Sequence, residues 1–239
     1  MAVRFDGKVA LVAGGTGALG REVTIALLRE GAQVTVTWQQ ENELGALKSE
    51  AGAHLAQLEA SRVDITDAAA VDRLIDGIAA SKGRLDILIN TAGGFAGGTK
   101  IWESDPAALD RMLALNLYPG FLLSRAAVKV MLRRGSGAIV NLAAKAALDH
   151  PAGLAAYSAS KAAALAMTGS LAEDLKGTGI RANSILPGVI DTEANRRAMP
   201  HADFTKWPKP GDIANVILFL VSDEAKVVHG ASIPVYGSS

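Results

Sequence analysis

The stretch Lys8-Val9-Ala10-Leu11-Val12-Ala13-Gly14-Gly15-Thr16-Gly17-Ala18-Leu19-Gly20 decides the fold. After Lys8 it runs apolar to Ala13 with β-branched Val9 and Val12, which suits a strand buried on both faces. Gly15, Gly17 and Gly20 then satisfy G-x-G-x-x-G, and residues 21–30 continue with helical spacing. Glycines here permit positive φ and let the backbone approach a pyrophosphate, whose charge is stabilised by the N–H groups and dipole of the helix start. Alone, such a motif marks only a tight strand-to-helix turn. After the first strand of an alternating chain it points to dinucleotide binding.

Outward from this stretch, short β-branched runs alternate with longer helical patterns. Seven candidate strands fall at 8–13, 33–37, 57–63, 85–90, 137–142, 181–186 and 232–235. Helical spacing covers 18–30, 68–80, 107–134, 154–176 and 212–221. Strands apolar on both faces and separated by helices predict an α/β fold: a single-domain, Rossmann-type, doubly wound, mainly parallel sheet with helices on both faces. Ligands then sit at the carboxyl ends of the strands. No stretch has the composition of a domain linker, so residues 1–239 are expected to form one dinucleotide-binding domain. Residues 192–210 are the least regular, with three prolines and the bulky Met199, Phe204 and Trp207. Bulky apolar side chains outside regular elements need covering, which favours a substrate lid; an ordinary surface excursion is the competing reading.

Lysine plus arginine equals aspartate plus glutamate at 24 each, so no overall field draws the chain to nucleic acid or to an anionic membrane. The absence of cysteine excludes disulfides and thiolate metal sites, and His54, His150, His201 and His229 are scattered, so no structural metal is expected. Met1 to Gly7 lacks the succession of a signal peptide, and the apolar runs fall short of the ~20 residues of a spanning helix. A cytoplasmic protein with a small-molecule partner is expected.

The second strand ends Thr35-Val36-Thr37-Trp38-Gln39-Gln40. No carboxylate stands at its tip to repel a 2′-phosphate and no arginine stands there to bind one, so the sequence favours NADP(H) over NAD(H), with Trp38 and Gln39 flanking the adenosine. Tyr157-Ser158-Ala159-Ser160-Lys161 opens an alanine-rich helix that puts Tyr157 and Lys161 on one face. An ammonium close to a phenol is expected to lower the phenol pKa and ease proton transfer near neutral pH. For an isolated Tyr-x-x-x-Lys the competing reading is a routine amphipathic helix with a surface lysine.

These elements have company in chain order: residues 14–20, Asp64 within 63–67, Asn90-Thr91-Ala92-Gly93, Asn116, residues 137–141, Tyr157 with Lys161, and residues 187–192. Together they resemble the short-chain dehydrogenase/reductase family over essentially the whole chain. The resemblance implies that Asp64 and Ile65 contact adenine, while Asn90, Thr91, Ala92 and Gly93 support the cofactor beside the central strand. It makes Tyr157 the proton donor and Lys161 its electrostatic partner, bound to the nicotinamide ribose. Asn116 would hold a helix kink and a proton-relay water, and Pro187, Gly188, Ile190 and Thr192 would embrace the nicotinamide amide. It also implies a homodimer or homotetramer, assembled through 107–134 and 154–176. Read singly, Asp64 is also a helix cap, Asn116 a buried polar group and Pro187-Gly188 a strand-ending turn.

Two positions depart from the family pattern. Thr91 replaces a second asparagine, and Ala144 occupies the place of a serine expected thirteen residues before the tyrosine. That serine hydrogen-bonds the reacting oxygen, which a methyl group cannot do. Residues 92–98, 144–149 and 199–207 resemble the dihydropteridine reductase branch, which also lacks the serine and reduces an activated quinonoid pterin. That branch carries an acid where Trp38 stands and prefers NADH, so the cofactor site departs from it. The acceptor would be a small carbonyl, a quinone or a quinonoid pterin, set beside Ala144 and Tyr157 and walled by Phe95, Met199, Phe204 and Trp207. The alternative is a noncatalytic NAD(P)-binding sensor or scaffold; retention of Tyr157, Lys161 and Asn116 argues against it.

Overall fold

The computed structural model describes residues 4–238. Met1 to Val3 and Ser239, which the single-domain and leader readings include, lie outside the described residues. All seven expected strands are present: β1 (Val9–Ala13), β2 (Gln33–Trp38), β3 (Leu58–Arg62), β4 (Ile87–Asn90), β5 (Gly137–Leu142), β6 (Ile180–Pro187) and β7 (Ser232–Val235). They form one sheet in the order β3-β2-β1-β4-β5-β6-β7, and every neighbouring pair is parallel. The order reverses between β1 and β4, so the crevice for a ligand opens there, at the carboxyl ends.

Alternation along β1 divides the core into two layers. Ala10 and Val12 face Leu19, Val23 and Leu27 of α1 (Ala18–Arg29) and Ile213 and Ile217 of α9 (Pro210–Val221). Val9, Leu11 and Ala13 face α3 (Ala68–Lys82), α5 (Tyr118–Leu132) and α7 (Ala155–Asp174) through Val71, Ile75, Leu123, Met131 and Ala172. Each fully buried leucine contributes roughly 1.5–3 kcal/mol by leaving water. Asp67 caps α3, its carboxylate accepting from the N–H groups of Ala69 and Ala70 at 2.8 and 3.3 Å.

Three features differ from the sequence expectation. The stretch 107–134 is two helices, α4 (Ala107–Asn116) and α5, separated at Leu117. Pro119 supplies the reason: it stands in the first turn of α5 and has no N–H to donate back along the chain. An unexpected helix, α2 (Glu41–Ala51), follows β2 and buries Leu44, Leu47 and Ala51. Residues 192–210 contain α8 (Glu193–Ala198) and a short 3₁₀ turn at Phe204–Lys206, and α6 (Ala146–Asp149) follows β5.

Candidate active site

A cavity of about 320 Å³ opens at the carboxyl ends of β1 to β4. Gly14, Thr16, Gly17, Trp38, Gln39, Asp64, Ile65, Thr91, Ala92 and Gly93 line it, as the sequence expects of a dinucleotide site. Its volume lies in the range of about 300–1,000 Å³ usual for ligand pockets.

The glycine-rich loop is built for close approach. Gly14 adopts φ +71°, and its N–H donates to Thr37 Oγ1 at 3.0 Å. Thr91 Oγ1 donates to the Ala13 carbonyl at 2.8 Å, strapping the end of β4 to the start of the loop. A side chain on Gly20 would collide with the Gly14 carbonyl oxygen, and one on Gly15 would enter Val36. Gly17 caps α1 without a side-chain hydrogen bond, so the first-turn N–H groups of Ala18, Leu19 and Gly20 have no intrahelical partner. A bare loop, a helix start and a strand-end cavity together fit a diphosphate.

Around the far end of the cavity, the Arg62 guanidinium lies 5.6 Å from the Trp38 ring centroid, its strand paired in register with that of Trp38. Asp64 accepts from the Thr66 hydroxyl at 2.6 Å and from the Thr66 N–H at 2.9 Å, which holds its carboxyl below the usual range. The helix-cap reading of Asp64 gives way to Asp67; Asp64 makes the turn before it. Sequence reasoning missed Glu43, which also lines the cavity and accepts from Thr16 Oγ1 at 3.0 Å. The signal was available in the acidic first turn of α2, but attention to the strand tip alone passes over it.

Beyond Gly93 lie the groups expected to react. Lys161 is 3% exposed, and its ammonium donates to the Leu142 carbonyl at 3.1 Å. Burial pushes its pKa down to about 8. Asn116 is the last residue of α4; its Oδ1 accepts from the Gly94 N–H at 2.9 Å and its amide donates to Ser160 Oγ at 3.0 Å. Ser160 in turn donates to the Tyr157 carbonyl at 2.7 Å, so a chain of hydrogen bonds ties the helix break to the first turns of α7. A Cβ on Gly93 would sit 3.2 Å from Lys161 Nζ and 2.8 Å from Asn116 Oδ1. Only glycine leaves that space open.

Tyr157 corrects one expectation. Its phenol pKa is raised, not lowered, because burial disfavours the phenolate, while the Lys161 ammonium is engaged by the Leu142 carbonyl. The Phe95 ring meets Tyr157 edge-on, with centroids 5.0 Å apart at 72°. Ala144 is buried beyond the end of β5, and the next residue donates its N–H to the Pro187 carbonyl at 2.8 Å. Asn90 is buried and turns its Oδ1 to the Ala92 N–H at 3.2 Å. Ile190 packs against the core, and Thr192 caps α8 by accepting from the Asn195 N–H at 3.2 Å. Of the expected substrate walls, Phe95 is in ring contact with Tyr157. Phe204 meets Trp207 with ring centroids 5.0 Å apart at a 53° tilt and lies under the Arg196 guanidinium, which pairs with Asp191, and Met199 is exposed.

A second cavity of about 400 Å³ opens at the opposite, amino-terminal edge of the sheet. Two of its charged groups hold the fold: Asp86 accepts from Arg84 and the Val9 N–H, and Arg181 donates to the carbonyls of Leu220, Ser222 and Val228. Among the described residues no helix is long and apolar enough to cross a membrane.

The sequence profile of the short chain dehydrogenase family matches residues 8–203. D-threitol dehydrogenase of Mycolicibacterium smegmatis is 35% identical over 246 aligned positions, spanning 98% of this chain and 93% of the relative. A short-chain type dehydrogenase/reductase from Mycobacterium ulcerans superposes with a TM-score of 0.92 at 28% identity, covering 98% and 90% of the two chains. The crystal structure of NAD+-bound xylitol dehydrogenase superposes with a TM-score of 0.90 at 25% identity over 98% and 99%. On this match of sequence, fold and strand-end cavity, the chain belongs to the short-chain dehydrogenase/reductase family of NAD(P)-dependent oxidoreductases.

Proposed function

We propose that the protein reduces a small, electron-poor acceptor, a quinone or quinonoid ring in preference to a simple ketone, with Tyr157 as the proton donor. The feature that carries this reading is Ala144: this buried position, where the family resemblance expects a serine, has a methyl group in place of the hydroxyl donor that would polarise a carbonyl. An acceptor that already delocalises incoming charge needs that donor least. A quinonoid pterin is one member of this class, and the names of the polyol-oxidising relatives support a carbonyl or alcohol partner as the second reading.

The bound cofactor would supply the hydride, held by the loop 14–20, Asp64, Ile65 and the backbone at 90–93. The chain's own work is protonic and positional. Burial keeps the Tyr157 phenol protonated at neutral pH, so it can donate to a developing anion. Phe95 packs edge-on against that phenol, and Asn116 anchors both the Gly94 backbone and the first turn of α7. Lys161 places a cation beside the open space at Gly93. Residues 192–210 act in this reading as the substrate lid, anchored where the Asp191 N–H donates to the Pro208 carbonyl at 2.9 Å. The sequence preference for NADP(H) rests on the lack of an acid at Trp38, and the Glu43 carboxylate, which comes from the next element, weighs against it.

The test is oxidation of NADH or NADPH, followed by absorbance, with quinones, a quinonoid dihydropterin and simple ketones. Activated acceptors are expected to turn over faster, and Ala144→Ser to raise ketone turnover by about tenfold or more, the worth of one well-placed donor. Faster reduction of ketones by the unsubstituted protein would contradict the reading. Tight cofactor binding with no turnover of any acceptor would favour the sensor alternative.

A further inference from the structure

We propose that Glu43 reads the adenosine ribose and sets the cofactor preference to NAD(H). The inference rests on the reading of the strand-end cavity as a dinucleotide site. Dinucleotide discrimination depends on the charge that a 2′-phosphate meets, and the strand tip is neutral here, at Trp38, Gln39 and Gln40. The acid comes instead from the next element. Glu43 lies in the first turn of α2, is half-buried, and lines the same cavity as Gly14, Trp38 and Gln39.

Its direction is fixed by a hydrogen bond across the site. Thr16, itself buried, donates its hydroxyl to Glu43 Oε2 at 3.0 Å, so one carboxylate oxygen is tied to the phosphate loop. The other oxygen has capacity to accept from a ribose hydroxyl. A 2′-phosphate entering this space would bring about two negative charges against a carboxylate partly shielded from water, where repulsion is stronger than at the open surface. Arg62, which lies over the face of Trp38, is exposed to solvent. Its charge is therefore the more strongly screened of the two.

Calorimetric titration of NADH and NADPH into the protein, with no acceptor present, tests this. NADH is expected to bind more tightly by about tenfold or more, and Glu43→Gln to narrow that ratio by a similar factor, chiefly through tighter NADPH binding. Glutamine still accepts from Thr16, so an unchanged melting temperature shows that the loop is intact. Arg62→Gln is expected to leave NADH binding within about twofold, because NADH brings no 2′-phosphate for the exposed guanidinium to pair with. An unaltered ratio in Glu43→Gln, or tighter NADPH binding by the unsubstituted protein that collapses in Arg62→Gln, overturns the inference and leaves the dinucleotide site standing. No binding of either cofactor overturns both.

Discussion

Lys161 is the residue at which burial and chemistry conflict most directly. Its amine lies almost wholly out of water, with the Leu142 carbonyl as partner, and its pKa falls from 10.5 to about 8. The folded state therefore binds fewer protons at this site than the unfolded chain between about pH 8 and 10.5. Below that window the native protein bears the full cost of the buried charge; as pH rises through it, the cost disappears and stability increases. Compared with Lys161→Met, the wild-type protein should gain up to roughly 3 kcal/mol between those limits. Denaturant melts of both proteins at pH 7.5 and 10.5 check this, and a wild-type protein that weakens relative to the variant would show the sign to be wrong. The pairing of Tyr157 with Lys161 on one helical face is legible in the sequence, because four-residue spacing fixes it. The raised phenol pKa is not legible, since it depends on what the rest of the fold packs over Tyr157.

Two glycines show how the same residue serves different ends in different elements. Gly20, in the first turn of α1, has the Gly14 carbonyl where a side chain would sit, with Thr91 Oγ1 2.7 Å away. Gly20→Ala should cost roughly 1–3 kcal/mol and abolish measurable dinucleotide binding, because backbone on the loop must move. Gly45, inside α2, meets nothing within 4 Å. Gly45→Ala should stabilise by roughly 0.5–1 kcal/mol with cofactor affinity unchanged. Paired thermal melts and calorimetry separate the two cases.

Gly45 also explains what the sequence concealed at this scale. With that glycine at its centre and only Leu44, Leu47 and Ala51 buried, α2 has a thin apolar stripe and weak helical propensity; packing against α1 and β2 decides it. Missing the helix meant missing Glu43. The strands were readable because their apolar runs need no context, even the sparse β3, whose spacing from its neighbours marks it. The division of 107–134 into α4 and α5 was also readable in principle, since Pro119 interrupts the hydrogen-bond ladder, although apolar periodicity runs across the break.

For the whole molecule, the reversal of strand order between β1 and β4 places the loop of β1, the tip of β2 and the end of β4 around one cavity. That convergence follows from all-parallel topology. The single chain leaves apolar side chains of α4 and α5 uncovered: Leu109, Tyr118 and Phe121 are 43–51% exposed. Apolar side chains at that density support a homodimer or homotetramer assembled through these helices. Phe121→Glu should shift the mass measured by light scattering to a smaller species, with an intact far-ultraviolet spectrum. An unsubstituted protein that is monomeric at all concentrations would refute the association.

The most direct test of the catalytic assignment is Tyr157→Phe, studied by single-turnover reduction of a quinone and by calorimetric titration of the preferred cofactor. Removing only the phenol oxygen should lower turnover by about 10²–10⁴-fold, the usual worth of a positioned proton donor, while cofactor affinity stays within about twofold. Undiminished turnover in that variant would contradict the account, because the proton would then come from a group other than Tyr157.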